Sequence, residues 1–216
     1  MVKIHRIAGG NVNCYIVADN DKAILIDTGR TRYRDKILEK CREFHVGLIV
    51  LTHGHMDHCQ NAAYLADALH IPIAMNKKDM NLIPDNRKQD LFAKTFLGKI
   101  VLSVSLSSFE KDSLEVFEPI IYLENDDDLS EYGIAAKVVE LPGHTKGSIG
   151  IKVDGNLFVG DALMNMFYPT VSMLYADEQE MLSSAKYISE LGDKTIYFGH
   201  GKPGKLRNQK WSLSVK

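Results

Sequence analysis

The sequence predicts an α/β fold, and three observations carry that prediction. Short β-branched runs bounded by turn residues alternate with stretches of helical periodicity. Strand, helix and strand recur in that order, the pattern of a layered α/β architecture. The two halves of the chain also echo one another. C-Y-I-V-A-D-N-D-K-A-I-L-I-D-T-G, from Cys14 to Gly29, and S-I-G-I-K-V-D-G-N-L-F-V-G-D-A-L, from Ser148 to Leu163, each read as a strand, a polar turn and a strand that ends in an aspartate, Asp27 or Asp161. A helix and a further strand follow in both, and that strand runs into a histidine, His53 or His200. Two such half-units facing one another would bring both sets of strand ends to one edge.

The elements follow in order. V-N-C-Y-I-V-A and A-I-L-I-D flank D-N-D-K, Asp19 to Lys22, as the two arms of a hairpin. Tyr33, Ile37, Cys41 and Phe44 lie four, four and three apart and put one apolar face on a helix before a strand at Leu48 to Leu51. A second helix is expected to begin near Asp57 and run through A-A-Y-L-A-D-A-L, with I-P-I-A-M, Ile71 to Met75, as the next strand. Residues 76–125 are less regular and read as an insertion that partly covers a site. There I-P-D-N-R-K reads as a loop, N-D-D-D at Asn125 to Asp128 as a solvated one, and the apolar stretch from Leu91 to Leu106 gives conflicting helix and strand signals. Asp177 with Glu180 three residues later resembles a helix N-terminal box, and Gly192 closes that helix before the strand T-I-Y-F.

Composition bounds the function. At 216 residues, 45% hydrophobic and 25% charged, the chain is expected to form one domain, 1–216, with its own core. A net charge of −2 supplies no basic field of the kind that draws a protein onto nucleic acid or an anionic membrane. Lys202 to Lys216 carries five basic and no acidic residues, which reads as a solvated terminus rather than a nucleic-acid contact. The N-terminal residues lack an export-type apolar region, and no apolar run approaches the ~18 residues that span a bilayer. A soluble, cytoplasmic protein acting on a small molecule is therefore expected, with the oligomeric state left open. Cys14, Cys41 and Cys59 have neither an even count nor metal-type spacing and read as buried thiols in a reducing compartment.

The chemistry concentrates in L-I-V-L-T-H-G-H-M-D-H, Leu48 to His58, where an apolar strand ends in three histidines and an aspartate. His53 and His55, two apart in near-extended chain, point to the same side and can converge on one ion. Asp57 and His58, at the start of the next helix, can reach a second position nearby. Imidazole mixed with carboxylate suits zinc, iron or manganese. His144 in L-P-G-H-T-K-G-S, Asp161 in F-V-G-D-A-L and His200 in Y-F-G-H-G sit in similar contexts, each close to a glycine that lets the backbone turn sharply. His5, His45 and His70 have no such setting and read as exposed or partly packed.

T-H-G-H-M-D-H, then P-G-H-T-K-G-S, G-D-A-L and G-H-G, with D-T-G upstream at Asp27 to Gly29, resemble in order the motifs of the metallo-β-lactamase superfamily of metal hydrolases. The resemblance implies a four-layer αβ/βα sandwich with pseudo-twofold halves. It implies that His53, His55 and His144 hold one metal, that Asp57, His58 and His200 hold a second, that Asp161 bridges them, and that Asp27 braces the metal-binding loop without ligating. The implied cofactors are two divalent ions, zinc first, with iron or manganese as alternatives. The implied chemistry is attack by a metal-bound hydroxide, with Asp57 relaying the proton to the leaving group. Ser148 and Cys59 lie near the motifs but lack a separate base and read as structural.

Within the family, compact length and G-H-T-K-G-S resemble the glyoxalase II-like branch, whose members hydrolyse thioesters, although the C-terminal helical domain that recognises glutathione there has no room here. Lactonases of the family often place a tyrosine three residues after the bridging aspartate; Met164 stands there, and Tyr168 or Tyr175 are the aromatic alternatives. The expected function is hydrolysis of a small carboxylic ester, thioester or lactone, with the 76–125 segment and the Phe167 to Tyr175 region shaping the pocket. A phosphodiester hydrolase and a non-hydrolytic iron redox or sensing protein are the alternatives, and Lys146 is expected to face solvent.

Overall fold

The computed structural model describes residues 1–111, 114–119 and 121–206; most of the basic C-terminal run, residues 207–216, lies outside the described residues. In chain order the elements are β1 (Lys3–Gly9), β2 (Val12–Asp19), β3 (Lys22–Ile26), α1 (Arg34–Glu43), β4 (Val46–Val50), α2 (Met56–Cys59), α3 (Ala62–Leu69), β5 (Ile73–Met75), α4 (Phe96–Lys111), β6 (Ile121–Tyr122), β7 (Lys137–Glu140), β8 (Ile149–Val153), β9 (Asn156–Phe158), β10 (Leu163–Met164), β11 (Thr170–Val171), α5 (Glu178–Glu190), β12 (Lys194–Tyr197) and β13 (Gly204–Leu206). Two sheets face one another, with strand orders β1-β2-β3-β4-β5-β6 and β13-β12-β9-β8-β7.

Strand alternation explains the layering, because successive side chains point to opposite faces of a sheet. On β2 and β3, Cys14, Ile16, Ala23 and Leu25 face outward onto Ile37 and Cys41 of α1 and Leu65 of α3. Their neighbours Tyr15, Val17, Ile24 and Ile26 face inward and meet Val138, Ile149, Ile151 and Phe158 of the second sheet. Beyond that sheet, Val139 and Leu157 pack against Met181, Ala185 and Ile188 of α5. Helix, sheet, sheet and helix are therefore four layers, the expected αβ/βα sandwich.

The echo in the sequence is an echo in topology. β2 and β3 form an antiparallel hairpin, and β4 returns parallel to β3 after α1. β8 and β9 form the same hairpin, and β12 returns parallel to β9 after α5. Asp177 caps α5 by accepting from the N–H groups of Gln179 and Glu180 at 2.8 and 2.9 Å. The reciprocal half of the expected box is absent, because the Asp177 N–H donates to the Gly143 carbonyl instead. Gly192 follows α5 in the left-handed conformation, φ 74°, and ends it as anticipated.

One expectation needs correction, and one open reading is resolved. The helix expected to run on from Asp57 is two helices, α2 and α3, broken at Gln60 and Asn61. Asn61 is drawn out of the helical path because its side-chain amide donates to the carbonyls of Thr28, Gly29 and Arg30 at 2.8 to 3.2 Å. The ambiguous stretch from Leu91 resolves into α4 from Phe96 onward, preceded by a bridge of Phe92 to Tyr175. Its β-branched residues favour a strand locally, but Leu97, Ile100, Val101 and Val104 fall on one helical face. All three cysteines are buried and free. Among the described residues no helix is long and apolar enough to cross a membrane.

Candidate metal centre

Parallel strands deliver the reactive residues to one edge. Asp27 follows β3, the His53 to His58 loop follows β4, and Asp161 and His200 follow β9 and β12. Ligands of layered α/β folds bind outside the carboxyl ends of such strands. His144 joins them from the loop between β7 and β8. At Asp27 the backbone takes a left-handed conformation, φ 59°, rare for a residue with a side chain and tolerated best by Asn and Asp. Gly199 is required for a different reason: a Cβ there would collide with the Asp161 carboxylate and the His58 ring.

The donors form three overlapping groups, each with ligand atoms within 4.8 Å of one another: His53, His55 and His144; His53, His58 and Asp161; and Asp57, His58 and His200. All seven residues singled out as ligands are thus brought together, although Asp57 and His144 are 87 residues apart in sequence and come from opposite halves. His55 Nδ1 and His144 Nε2 lie 2.9 Å apart. His200 Nε2 is 3.2 Å from Asp161 Oδ2 and 3.5 Å from Asp57 Oδ2.

Whether these residues fit a metal can be judged from their unused atoms. Nε2 of His53, His55 and His58 and Oδ1 of Asp161 are buried without a hydrogen-bond partner. Leaving such a group unsatisfied costs about 1 to 3 kcal/mol each, and those of His53, His58 and Asp161 fall in one group that calls for a cation, whereas His55 turns its other nitrogen, Nδ1, toward His144 Nε2. The opposite ring nitrogens are anchored. His58 Nδ1 donates to Asp27 Oδ2 at 2.8 Å, His144 Nδ1 to the Leu174 carbonyl at 2.8 Å and His200 Nδ1 to the Asn11 carbonyl at 2.7 Å, while His53 Nδ1 lies 3.1 Å from Thr52 Oγ1. A proton fixed on the outer nitrogen leaves the inner lone pair for an ion, the arrangement common to metal-ligating histidines. Asp27 stands outside the three groups and also accepts from the Thr52 N–H at 2.8 Å, so it ties the His53 loop to the His58 ring.

Without an ion the site divides its charge unevenly. Burial, reinforced by the neighbouring rings, drives His53 well below the ordinary histidine range and His55 down to about 3. Burial also pulls on His58, but Asp161, Asp27 and Asp57 outweigh it and raise that ring to about 10. His200 is raised in the same way, against its burial, by Asp161 and Asp57. The carboxyls of Asp161 and Asp57 would be raised by burial, yet His58 and His200 hold both below the usual range. Arg30, 3.7 Å from Asp57 Oδ2, acts in the same direction.

One buried residue that the motifs did not single out organises the site. Asp79 lies beyond β5, fully buried, and accepts four hydrogen bonds. Its Oδ2 takes the Gly54 N–H at 2.9 Å and the Thr145 hydroxyl at 2.6 Å; its Oδ1 takes the Gly147 N–H at 2.7 Å and the Gln89 amide at 2.9 Å. Gly54 separates His53 from His55, and Thr145 follows His144, so one carboxylate joins both histidine loops. The signal available in the sequence was an acid a few residues past a strand end, the setting that Asp27 and Asp161 share. Ser148 bonds to Thr145, and Cys59 donates to the His55 carbonyl at 3.1 Å with its thiol raised well above the usual range by burial. Lys146 is exposed.

A cavity of about 450 Å³ opens onto Asp57, His144, Asp161 and His200. Its walls come from α4, from Met164, Met166 and Phe167 and from Met173 and Leu174, and Arg30 lines it too. Both regions expected to shape a pocket do so, α4 from the first and the 167–174 segment from the second. Neither tyrosine alternative lines the cavity: Tyr168 is 65% exposed, and Tyr175 packs near Phe92 with only 9% of its surface accessible.

Residues 7–200 match the family model of the metallo-beta-lactamase superfamily. Hydroxyacylglutathione hydrolase 1 of Vibrio vulnificus (strain YJ016) is 30% identical over 192 residues, 86% of this chain and 60% of that protein. An uncharacterized protein of Aquifex aeolicus (strain VF5) is 32% identical over 149 residues, 68% of this chain and 62% of that protein. The chain therefore spans less than two thirds of the length of either relative. Among solved structures, the BLEG-1 B3 metallo-beta-lactamase superposes with a TM-score of 0.73 at 22% identity, covering 95% of this chain and 94% of that one. The di-iron-bound form of TTHA1623 gives 0.69 at 22% identity and covers 95% of each chain. At these identities the likeness is one of fold.

Proposed function

Because the chain belongs to the metallo-beta-lactamase superfamily, we propose that it hydrolyses a small carboxylic ester, thioester or lactone with the aid of two divalent cations. In this reading His53, His55 and His144 hold one ion, Asp57, His58 and His200 hold the other, and Asp161 reaches both. The observation that carries the reading is the grouping of buried, unpartnered donors on His53, His58 and Asp161, with Asp161, Asp57, His144 and His200 lining a substrate-sized cavity. An all-nitrogen-and-oxygen donor set suits zinc, and iron or manganese next.

When bound, such ions bring a water's pKa to about 7 and polarise an acyl oxygen. The chain's own residues do the rest. Asp27, Leu174 and Asn11 hold the outer nitrogens of His58, His144 and His200, so those rings cannot swing when charge develops beside them. Asp57 Oδ2 lies on the cavity wall within reach of His200 Nε2, where it can accept a proton from water and return it to a departing oxygen or sulfur. His58 and His200, and Arg30 to a smaller extent, favour the charged form of that carboxylate against its burial. The apolar walls limit water at the reacting centre and strengthen each of these interactions.

The test is turnover of a thioester, a lactone and a phosphodiester by protein of measured metal content, with a chelator-treated control. Chelator-sensitive cleavage confined to the carbonyl substrates supports the proposal. Cleavage of the phosphodiester alone, or silence on all three by fully metallated protein, overturns it.

A further inference from the structure

The helix above the site carries its own information about the substrate. Leu97, Ile100, Val101, Val104 and Phe109 of α4 all line the cavity, at spacings of three, one, three and five residues. With Ser105 and Ser108 they make a single stripe along the helix. An apolar stripe of this kind ordinarily packs into a protein core. Here it does not: Leu97 and Ile100 are each 47% exposed and Val104 66%, and none of the stripe is fully buried. The facing wall is also apolar, built largely of Met164, Met166 and Met173, a residue type that adapts its shape to flexible apolar partners.

The stripe has a direction. Phe109 stacks on the ring of His55 with centroids 5.6 Å apart, so the C-terminal end of α4 sits beside the metal centre. The two serines fall near that end, and the purely aliphatic positions lead away from it toward Leu97. Gly98, at the far end, packs against the Met173 carbonyl, where an added Cβ would come within 3.1 Å of it. A group with a polar reacting end and an apolar extension matches this order.

We infer that the chamber under α4 receives the unbranched apolar chain of an acyl substrate, its carbonyl directed to the metal centre and its chain running along the stripe toward Leu97. The inference rests on the proposed hydrolytic reading of the site and narrows it to medium-chain acyl esters, thioesters or lactones. With the reacting carbonyl and its leaving group set beside Ser105 to Phe109, the seven residues that separate Leu97 from Val104 remain for the chain, about 10 Å along a helix. Carbon–carbon bonds of about 1.5 Å advance a zigzag chain by about 1.25 Å per carbon, so about eight carbons fill that length. Burying a methylene is worth about 0.8 kcal/mol, equivalent to about fourfold in a binding or specificity constant.

Two measurements on metal-loaded protein test this. One follows kcat/KM for straight-chain acyl thioesters of two to about twelve carbons with a common thiol. The other measures calorimetric binding of the matching straight-chain carboxylates, which needs no turnover. The expected result is a rise of about fourfold per methylene in both series, levelling near eight carbons. Val104→Trp should move the plateau to shorter chains, and Val104→Asp should flatten the slope. Hydrolysis with no dependence on chain length overturns the chain assignment and leaves the hydrolase reading standing. Length-dependent binding of carboxylates without hydrolysis of any thioester, ester or lactone of these chain lengths overturns the hydrolase reading and keeps the chamber. Chain-independent binding together with absent hydrolysis overturns both.

Discussion

Replacing Asp79 by Asn keeps the shape of the side chain and changes only its hydrogen-bonding sense, so it isolates what the buried carboxylate does. Four donors converge on two oxygens, Gly54 N–H and Thr145 Oγ1 on one and Gly147 N–H and Gln89 Nε2 on the other. An amide must turn its NH₂ toward one of these pairs. Turned toward the first, it is opposed by Gly54 N–H, although the Thr145 hydroxyl can rotate to accept. Turned toward the second, it is opposed by Gly147 N–H. Either way one backbone donor in a histidine loop is stranded, at about 1 to 3 kcal/mol, and the remaining bonds lose their charge assistance. A total near 3 kcal/mol is expected in the folding free energy of the metal-free protein. Because Gly54 sits between His53 and His55, the same change should loosen the geometry of the histidines, and outer supports of this kind are worth about 10- to 100-fold in metal affinity. Chelator competition, run where the variant is still folded, measures the second effect apart from the first. Wild-type metal affinity and an unchanged denaturation midpoint in Asp79→Asn would refute the reasoning. A stability loss with no change in affinity would confine Asp79 to the fold.

Other expectations follow from the same geometry. Asp161→Ala should leave the fold intact by circular dichroism, remove the carboxylate that lies 3.2 to 3.7 Å from the His58, His144 and His200 rings, lower bound metal below two ions per chain and abolish chelator-sensitive turnover; near-normal activity in this variant and in His55→Ala would count against the site. Metal binding at pH 7.5 should release at least one proton, since His58 is raised to about 10 in the metal-free protein and must give up its inner proton to ligate; calorimetry in two buffers of different ionisation enthalpy reads that number, and zero would contradict the assignment. The same raised value has a stability counterpart: in metal-free protein its contribution is complete below the ordinary histidine value of about 6.5 and is lost as the pH climbs toward 10. Asp177→Ala should cost about 1 kcal/mol and about 2 to 4 °C in Tm through the lost α5 cap, and Lys146→Ala, at an exposed position, should change turnover by less than twofold.

What the sequence made legible and what it hid have a common physical cause. His53, His55, Asp57 and His58 were readable because their convergence is local: a strand end and one turn bring them together whatever the rest of the chain does. His144, Asp161 and His200 became readable only through their order and their glycines, since nothing local says that the end of β9 will face the end of β4. The repeat of hairpin, helix and parallel strand supplied that long-range information, because two copies of one half-unit packed face to face must align their strand ends. Asp79 carried no such mark. Its role is set by which donors the fold brings to it, two of them backbone groups of loops 25 and 68 residues away, and backbone donors leave no trace in residue type.

The 91–106 stretch was ambiguous for the opposite reason. Its residues carry a real helical stripe, but a stripe signals a helix most clearly when charged residues fill the other face, and in α4 the outer face keeps Phe96 and Leu106 exposed as well. The apolar content that blurred the secondary-structure signal is the content that lines the cavity. A helix whose apolar face meets a chamber instead of a core contributes less to stability than its composition suggests, and the unspent burial is available to a substrate. The conflict of signals at Leu91 to Leu106 and the chemistry of the chamber are thus one property seen twice. By the same reasoning, substitutions on the α4 stripe should move chain-length preference more than they move the unfolding midpoint, whereas substitutions at Ile149 or Phe158, packed between the sheets, should do the reverse.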